Sequence, residues 1–278
     1  MGHCTVNEAE IILDKNYPVL DKGFIRLVDY MGGDARVVQS ARVSYGDGTK
    51  SFREDSGLID YLLRNSHTSP FEQVILTFHV KLPIFVARQW IRHRTARLNE
   101  ISGRYSVMRD DFYVPAHEDI ALQSTDNKQG RSNEALDQKE AEKIRAAFAD
   151  GQTNAYSAYS ALIDEGIAKE LARINLPLST YTEWYWQIDL HNLFHFLKLR
   201  LDAHAQKEIR LYAEVLFDIT KKVAPACCES FERHILKGIR FSSEELAELK
   251  KRLEGSKGNL SGKALERFEE KLKSGKQL

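Results

Sequence analysis

The chain has 278 residues, and its 40 Lys and Arg balance 40 Asp and Glu, so the formal net charge is zero. A neutral chain is not expected to bind DNA or an acidic membrane through bulk charge. Hydrophobic residues make up 42%, which is typical of a globular protein, and no apolar run is long enough to span a bilayer. The N-terminus lacks the pattern of a secretory signal. We therefore expect a cytoplasmic protein with no membrane or nucleic-acid partner.

The first half of the chain predicts short strands and helices in alternation. Residues 74–82 carry the clearest signal, because apolar and polar residues alternate there with a period of two. Pro83 ends this strand and suits the first turn of a helix, where its missing N–H costs no hydrogen bond. The predicted elements are a strand at 24–31, helices at 34–43 and 57–65 with a turn at 45–48 between them, the strand at 74–82, a helix at 84–95 and a loop at 99–105.

The second half predicts a polar surface segment followed by stronger elements. Residues 116–138 contain few large apolar side chains, and we interpret them as a surface excursion. Residues 191–223 contain neither Pro nor Gly, which favours one long central helix. The other predicted elements are a helix at 139–167 with a break near Gly151, a short helix at 168–175, a strand at 180–190 and a charged helical tail at 242–278 with breaks between Gly255 and Gly262.

A dense group of arginines lies between residues 88 and 104 of this neutral chain. Its members are Arg88, Arg92, Arg94, Arg97 and Arg104, accompanied by His93. Gln89, Arg92 and His93 share one helical face, and a guanidinium suits phosphate because its planar fork donates two hydrogen bonds at once. A solvated or salt-bridged helix is the ordinary alternative for such a run. Trp90 and Ile91 within the run favour the wall of a pocket instead.

A second candidate site lies on the predicted long helix. His191 and His195 are spaced i, i+4, and so are Arg200 and His204. A histidine pair at this spacing can bind zinc, but no third ligand is evident in the sequence and Arg200 would repel a cation. We favour a polar helix face that surrounds a ligand.

Other classes of site are poorly supported by the sequence. It contains no G-x-G-x-x-G, P-loop or G-x-S-x-G motif. Its three cysteines are too few and too badly spaced for a disulfide framework or a zinc ribbon. We interpret the adjacent Cys227 and Cys228 as a small buried pair without a chemical role.

Residues 92–105, RHRTARLNEISGRY, resemble the signature R-H-R-x-x-S-x-N-E-x-S-x-R-Y of the flavin-dependent thymidylate synthases. Thirteen of the fourteen positions are compatible, and Arg97 stands where the family usually has Ser. The segment HTSPFE at 67–72 is similar to the family's H-x-[ST]-P-F-E, and LRLDAHAQ at 199–206 is similar to its L-R-x-D-x-H-A-Q. The resemblance covers residues 20–231. We predict one domain at 1–239 and a charged helical extension at 240–278, to which we assign no role.

This resemblance implies an activity, a fold and an assembly. The family methylates dUMP to dTMP, with methylenetetrahydrofolate as the one-carbon donor, NADPH as the reductant and FAD as the hydride carrier. The implied fold is α/β of the α+β type, in which an antiparallel sheet packs with long central helices. The implied assembly is a homotetramer whose active sites lie between subunits. FAD is the implied cofactor, with NADPH and methylenetetrahydrofolate as co-substrates and no metal.

The resemblance also implies roles for individual residues. Those implied to bind FAD are Ser44, His67, Ser69, Arg92, His93, Arg94, Glu100, Asp189, Leu190, His191 and His195. Those implied to bind dUMP are Glu72, Gln89, Trp90, Ile91, Arg92, Glu100, Ile101, Ser102, Gly103, Arg104, Arg173 and Arg200. Arg104 and Arg173 are the implied phosphate ligands. Arg200 is the implied catalytic residue, because a guanidinium beside the uracil ring would stabilise negative charge that develops there.

Two other functions stay open from the residues themselves. Aromatic residues interleaved with arginines also suit binding to single-stranded nucleic acid, although zero net charge argues against it and residues 67–72 would then have no explanation. The other alternative is a catalytically silent homologue that kept the fold. The absorption spectrum of the purified protein separates a flavoprotein from a nucleic-acid-binding module.

Overall fold

Strands with alternating apolar residues form an antiparallel sheet in the computed structural model, which describes residues 4–43, 52–125, 129–256 and 258–274. The strands are β1 (Asn16–Val19), β2 (Gly23–Met31), β3 (Ile75–Pro83), β4 (Arg97–Glu100), β5 (Ala121–Gln123), β6 (Arg131–Ala135) and β7 (Tyr181–Asp189). The order of the strands in the main sheet is β1-β2-β3-β7-β4, and β5 pairs with β6 in a separate small sheet. Helices accompany this sheet, so the predicted α+β class is confirmed.

The helices are distributed along the whole chain. They are α1 (Asn7–Ile12), α2 (Asp34–Arg42), α3 (Phe52–Arg64), α4 (Ile84–Trp90), α5 (Gln138–Asp164), α6 (Lys169–Ala172), α7 (Leu190–Arg200), α8 (Lys207–Val223), α9 (Pro225–Phe231), α10 (Ser243–Leu253) and α11 (Gly262–Ser274). Short 3₁₀ turns cover Ser69–Gln73, His117–Asp119 and Arg173–Asn175, and a π-helical turn covers Glu232–Leu236. No helix in the described ranges is both long and apolar enough to cross a membrane.

One face of the sheet forms the core because β3 and β7 alternate in the same register. Phe78 pairs with Trp186 and Val80 with Trp184, and all four side chains are buried. Helix α8 packs against α7, α4 and the strands β1 and β2. Apolar side chains on one face of an antiparallel sheet need such a cover. The opposite face of β3 and β7 carries partly exposed polar residues.

The prediction of one unbroken helix at 191–223 is wrong. Helix α7 ends at Arg200, and α8 begins at Lys207. Asp202 Oδ1 accepts a hydrogen bond from the backbone N–H of His204 at 2.8 Å, and the N–H of Ala205 bonds to the carbonyl of Asp202 at 3.0 Å. A side chain that bonds its own neighbouring backbone competes with the helix. The absence of Pro and Gly was therefore not sufficient to predict continuity.

The helix predicted at 84–95 is also shorter than expected. It ends at Trp90, and Pro83 still belongs to β3. Residues 97–100, predicted partly as loop, form β4 at the edge of β7. The exposed edge of β7 offers backbone hydrogen-bonding groups, and pairing satisfies them.

Helix α5 runs through Gly151 without the predicted break. One glycine lowers the stability of a helix by only about 1 kcal/mol. The side chain of the adjacent Gln152 also connects the helix to other segments of the chain through hydrogen bonds. Its side-chain Nε2 donates to the carbonyl of Tyr113 at 2.9 Å and to Ser179 Oγ at 3.1 Å. The polar segment before α5 contains the hairpin β5–β6. The turn predicted at 45–48 lies outside the described residues.

Candidate active site

Nine residues from two parts of the chain line a cavity of about 290 Å³. One part is the turn between α4 and β4, and the other is β7 together with α7. The lining residues are Arg92, His93, Arg94, Thr95, Ile188, Asn192, His195, Leu199 and Arg200. We name Arg92, His93, Arg94, Asn192, His195 and Arg200 the helix-side group. These polar side chains come from segments about 100 residues apart in sequence, so only the fold assembles them.

Arg200 is held in a fixed orientation at the end of α7. Its Nε donates to His93 Nε2 at 3.1 Å, and its Nη2 donates to the backbone carbonyl of Gln89 at 3.1 Å. Burial, together with the nearby charges of Arg200 and His195, lowers the pKa of His93 to about 4. His93 is therefore neutral at physiological pH, and its Nε2 is able to accept the bond from Arg200.

Arg92 and Arg94 are exposed at the mouth of this cavity. Within the described part of the chain neither forms an ion pair. Asn192 and His195 add a neutral amide and an imidazole from the facing helix. Two guanidinium groups without an ion pair among the described residues, together with an amide and an imidazole, form a set that fits a pyrophosphate or another doubly charged anion.

The N-terminus of α7 adjoins the segment with the HTSPFE sequence. Asp189 caps the helix, because its Oδ1 accepts from the N–H of Asn192 at 2.9 Å and its Oδ2 accepts from the side-chain amide at 2.8 Å. Phe71 is buried against Phe194 of α7, with ring centroids 6.4 Å apart. This packing leaves the predicted site residues His67, Ser69 and Glu72 exposed beside α7.

A second group of predicted site residues follows β4. Gly103 lies against Arg173, such that an added Cβ at residue 103 would stand 3.1 Å from Arg173 Cδ. Arg104 Nε is 3.2 Å from a carboxylate oxygen of Glu170, and both side chains are more than half exposed. We name Ser102, Gly103, Arg104 and Arg173 the loop group. An exposed ion pair is weak, so Arg104 is available to an anion.

Strand β4 separates the two groups. Arg97 pairs with Gln187 and Glu100 pairs with Trp184 across β7. Three residue steps along a strand span about 10 Å, so the helix-side group and the loop group lie at opposite ends of β4. Arg97, the departure from the family signature, donates from Nη1 to Gln187 Oε1 at 3.3 Å.

The remaining predicted site residues lie in three different surroundings. The side chains of Trp90 and Leu190 are buried in the core and do not reach the cavity surface, so only their backbone is available to a ligand. Glu100 accepts a hydrogen bond from Thr182 Oγ1 at 2.6 Å. His191 and Ile91 are half-buried, and Ile101 is 44% exposed. Ser44 lies outside the described residues.

Sequence reasoning missed some residues in or beside these two groups. Asn192 and Leu199 line the cavity, and Glu170 pairs with Arg104. Asn192, His195 and Leu199 follow the i, i+3, i+7 spacing of one helix face, which was a usable signal. No group of three or more His, Cys, Asp and Glu able to hold a metal occurs among the described residues.

Comparison with known proteins identifies the family. Residues 26–226 match the family model described as Thymidylate synthase complementing protein. The flavin-dependent thymidylate synthase of Treponema denticola is 69% identical over 266 residues, which are 96% of this chain and 100% of the relative. The chain belongs to the flavin-dependent thymidylate synthase family. This confirms the family predicted from residues 67–72, 92–105 and 199–206.

Further relatives of the family agree with this assignment. The flavin-dependent thymidylate synthase of Treponema pallidum is 61% identical over 277 residues, which are 100% of this chain and 91% of the relative. A crystal structure of the UMP/dUMP methylase PolB from Streptomyces cacaoi, bound with 5-Br dUMP, has a TM-score of 0.71 at 34% identity. The superposed region covers 79% of this chain and 98% of the PolB chain. Residues 239–278 match a second model, described as Thymidylate synthase ThyX C-terminal domain.

Proposed function

We propose that this chain methylates dUMP to dTMP in the cytoplasm. Methylenetetrahydrofolate supplies the one-carbon unit, NADPH is the reductant, and FAD is the bound cofactor. The observation that carries the proposal is the oriented Arg200 beside unpaired arginines in a cavity of about 290 Å³. A silent homologue would have no need to hold a half-buried guanidinium in place with two hydrogen bonds.

The helix-side group fits FAD because its donors match a pyrophosphate. Arg92 and Arg94 would bind the phosphates. His93 and His195 lie beside them, and the centroids of these two imidazole rings are 5.7 Å apart. His67 and Ser69, together with Asp189, Leu190 and His191 at the start of α7, would line the remainder of the cofactor, and Glu72 would contact the nucleotide. FAD, when bound, supplies the hydride chemistry, and the protein supplies binding and orientation.

Arg200 would act on the uracil ring. A guanidinium has five N–H donors. One goes to His93 and one to Gln89, so the Nη1 hydrogens stay available for a ligand. A positive group that is already oriented stabilises negative charge on the ring as it develops, without reorganisation at the moment of reaction.

The loop group would bind the dUMP phosphate. Arg104 and Arg173 are its two cations, and Ser102 and Gly103 bring the backbone close to them. Gln89, Ile91, Glu100 and Ile101 complete the proposed nucleotide contacts. Phosphate binding supplies free energy that is remote from the reacting carbon and fixes the base for the chemical step.

We further propose that the enzyme is a homotetramer whose active sites take residues from different subunits. In one chain the two groups lie at opposite ends of β4. Exposed apolar side chains surround the loop group, and an apolar patch of this kind is typical of a protein interface. These residues are Ile101 (44% exposed), Tyr105 (76%), Val107 (49%), Leu171 (57%) and Ile174 (69%).

A mixing experiment tests the shared site. Arg104→Ala and Arg200→Ala chains are co-expressed with different tags, purified through both tags and assayed for dTMP at a dUMP concentration far below the KM, where the weaker binding of the Arg104→Ala variant also lowers the rate. If the two arginines of a site come from different subunits, about a quarter of the sites in randomly mixed tetramers carry both native residues. We expect about that fraction of the parent activity. Mixed oligomers as inactive as each single variant would contradict the shared site.

A separate measurement tests the activity itself. The protein incubated with FAD is passed through gel filtration, and the retained flavin absorbance is recorded. The same preparation receives dUMP, methylenetetrahydrofolate and NADPH, and dTMP is quantified. We expect retained flavin together with dTMP formation. Retained flavin without dTMP would point to the silent homologue, and no retained flavin would overturn the assignment of the helix-side group.

A further inference from the structure

Two glutamine side chains connect the end of α4 to the start of α8. Gln89 is the last residue but one of α4, and Gln206 immediately precedes α8. Nε2 of Gln89 donates a hydrogen bond to Oε1 of Gln206. The backbone carbonyl of Gln89 also accepts from Nη2 of Arg200 at 3.1 Å. Gln206 is therefore bonded to the residue that helps to orient the guanidinium proposed to act on the uracil ring.

An amide side chain can face its partner in two ways, and its surroundings decide between them. The carbonyl oxygen of an amide accepts and its NH2 group donates, so a reversed Gln206 would present a donor to Gln89. Gln89 would then have to turn its own oxygen toward Gln206. The pair thus has two self-consistent states, and each state leaves a different atom of Gln89 for a ligand.

A buried carboxylate on α8 selects one of these states. Glu208 is 3% exposed, and its Oε1 accepts from Nη2 of Arg131 at 2.6 Å and from the Tyr113 hydroxyl at 3.2 Å. Burial alone would raise the pKa of Glu208, but Arg131 and the Gln206 side chain hold it below its ordinary value. An ionised carboxylate only accepts hydrogen bonds. Gln206 must therefore turn its NH2 group to Glu208, which leaves its Oε1 for Gln89.

The selected state gives the Gln89 side chain a defined polarity toward the active site. One hydrogen of its Nε2 is used by Gln206, and its Oε1 forms no hydrogen bond within the described part of the chain. The Nη1 hydrogens of Arg200 are open beside it. A nucleotide would meet an acceptor from Gln89 next to donors from Arg200. The donors that dUMP offers away from its phosphate are the N3–H of the uracil ring and the 3′-hydroxyl.

We propose that Gln206 is a positioning residue for dUMP. It fixes the amide of Gln89 with Oε1 toward the nucleotide, where this atom accepts a hydrogen bond from the N3–H or the 3′-hydroxyl. The proposal rests on the proposed function, because it takes dUMP as the substrate. It also gives a role to the hairpin β5–β6, since Arg131 of β6 pairs with Glu208, the carboxylate that selects the orientation of Gln206.

A double-mutant cycle tests whether Gln206 acts through Gln89. dUMP is titrated into the FAD-loaded enzyme, and its Kd is compared for the parent, Gln206→Met, Gln89→Met and the double variant. Methionine keeps the length of the side chain and removes the amide, and Gln89→Met retains the backbone carbonyl that accepts from Arg200. We expect Gln206→Met to weaken dUMP binding about three- to tenfold in the parent. The same change should cost less than about twofold when residue 89 has already been changed.

Gln206→Lys tests the polarity of the pair. An ammonium group only donates, so Gln89 has to turn its Oε1 to the lysine and present its Nε2 to the nucleotide. Lysine still offers a donor to the buried Glu208. An N–H of Gln89 would then face a donor of dUMP, and we expect binding at least about tenfold weaker than in the parent. Ala203→Met, at an exposed position of the same loop, is the control and should bind dUMP as the parent does.

Two analogues identify which donor of dUMP is used. 3-Methyl-dUMP lacks the N3–H, and 2′,3′-dideoxyuridine 5′-monophosphate lacks the 3′-hydroxyl. Gln206→Met should change the affinity for the analogue without the relevant donor by less than about twofold, and it should weaken the other analogue as it weakens dUMP. Equal losses for dUMP and both analogues, an undiminished loss in the Gln89→Met background, or no loss at all would overturn the proposal. Formation of dTMP by the parent is measured in parallel, so a failure of the proposed function is recorded separately.

Discussion

The helix-side group and the loop group carry the same kind of side chain in different settings. Arg200 leaves a regular helix and is fixed by two hydrogen bonds, one to a neutral imidazole and one to a backbone carbonyl. Arg104 lies in an irregular segment and forms an exposed ion pair with Glu170. A cation with a fixed orientation is suited to stabilise charge that develops during a reaction. An exposed cation in a weak ion pair is suited to bind an anionic ligand. We therefore expect Arg200 to serve catalysis and Arg104 to serve substrate capture.

Arg200→Ala should have the largest effect, because it removes the oriented cation. We expect dTMP formation to fall about 100- to 1,000-fold, the usual cost of losing one preorganised donor. Flavin retention should persist, since Arg92 and Arg94 remain. Arg200→Lys should rescue little, because an ammonium has no planar fork. Flavin retention and dTMP formation are measured on one preparation, and parallel loss of both would point to a damaged α7 instead.

Arg104→Ala should affect binding more than chemistry. A charge-assisted hydrogen bond contributes on the order of 1.5–3 kcal/mol, so the affinity for dUMP should fall about ten- to a hundredfold. Arg173→Ala should behave similarly. Titration with deoxyuridine, which lacks the phosphate, is the control. If Arg104→Ala weakened dUMP and deoxyuridine equally, the phosphate role of the loop group would be wrong.

His93→Ala should have a smaller effect, because it removes the acceptor that orients Arg200 and leaves the guanidinium in place. We expect about a tenfold loss in dTMP formation at saturating dUMP, while the KM for dUMP stays near the parent value. His93→Gln offers an acceptor oxygen and should recover part of the loss. A change confined to KM would contradict the positioning role.

The depressed pKa of His93 also predicts how stability depends on pH. The imidazole is neutral in the folded protein down to about pH 4, and it ordinarily titrates near 6.5. Between these values the unfolded chain binds more protons, so the stability that His93 contributes decreases as pH falls through this window. Between pH 6.5 and pH 4, the Tm of the flavin-free parent protein should therefore decrease more than the Tm of the flavin-free His93→Gln variant.

The smallest effect is expected at the cysteines, which belong to neither group. Cys227 and Cys228 are buried in α9, and burial raises the pKa of both thiols well above the ordinary value. A buried neutral thiol is a poor nucleophile. Cys4→Ser, Cys227→Ser and Cys228→Ser combined should keep dTMP formation within about tenfold of the parent, with packing as the main loss. A folded, flavin-bound triple variant that forms no dTMP would show that a thiol is catalytic.

The C-terminal extension illustrates what local pattern can predict. The charged tail was expected to be helical with breaks between Gly255 and Gly262, and α10 ends at Leu253 while α11 begins at Gly262. Ser242 and Glu245 form a capping box at the start of α10. Glu248, one of the charged residues of this tail, is buried and accepts from the N–H groups of Asn259 and Leu260. That contact depends on how the two helices pack.

The sequence by itself determined the family, the alternating strands β3 and β7, and most of the residues of both groups. These follow from short spacings and from side-chain chemistry, which are local. It did not determine where α7 ends, that residues 97–100 form β4, or that the side chain of Trp90 lies in the core. Each of these depends on backbone hydrogen bonds and burial between segments far apart in the chain. The tertiary structure alone decided that His93 accepts from Arg200, because a contact across 107 residues has no local signature.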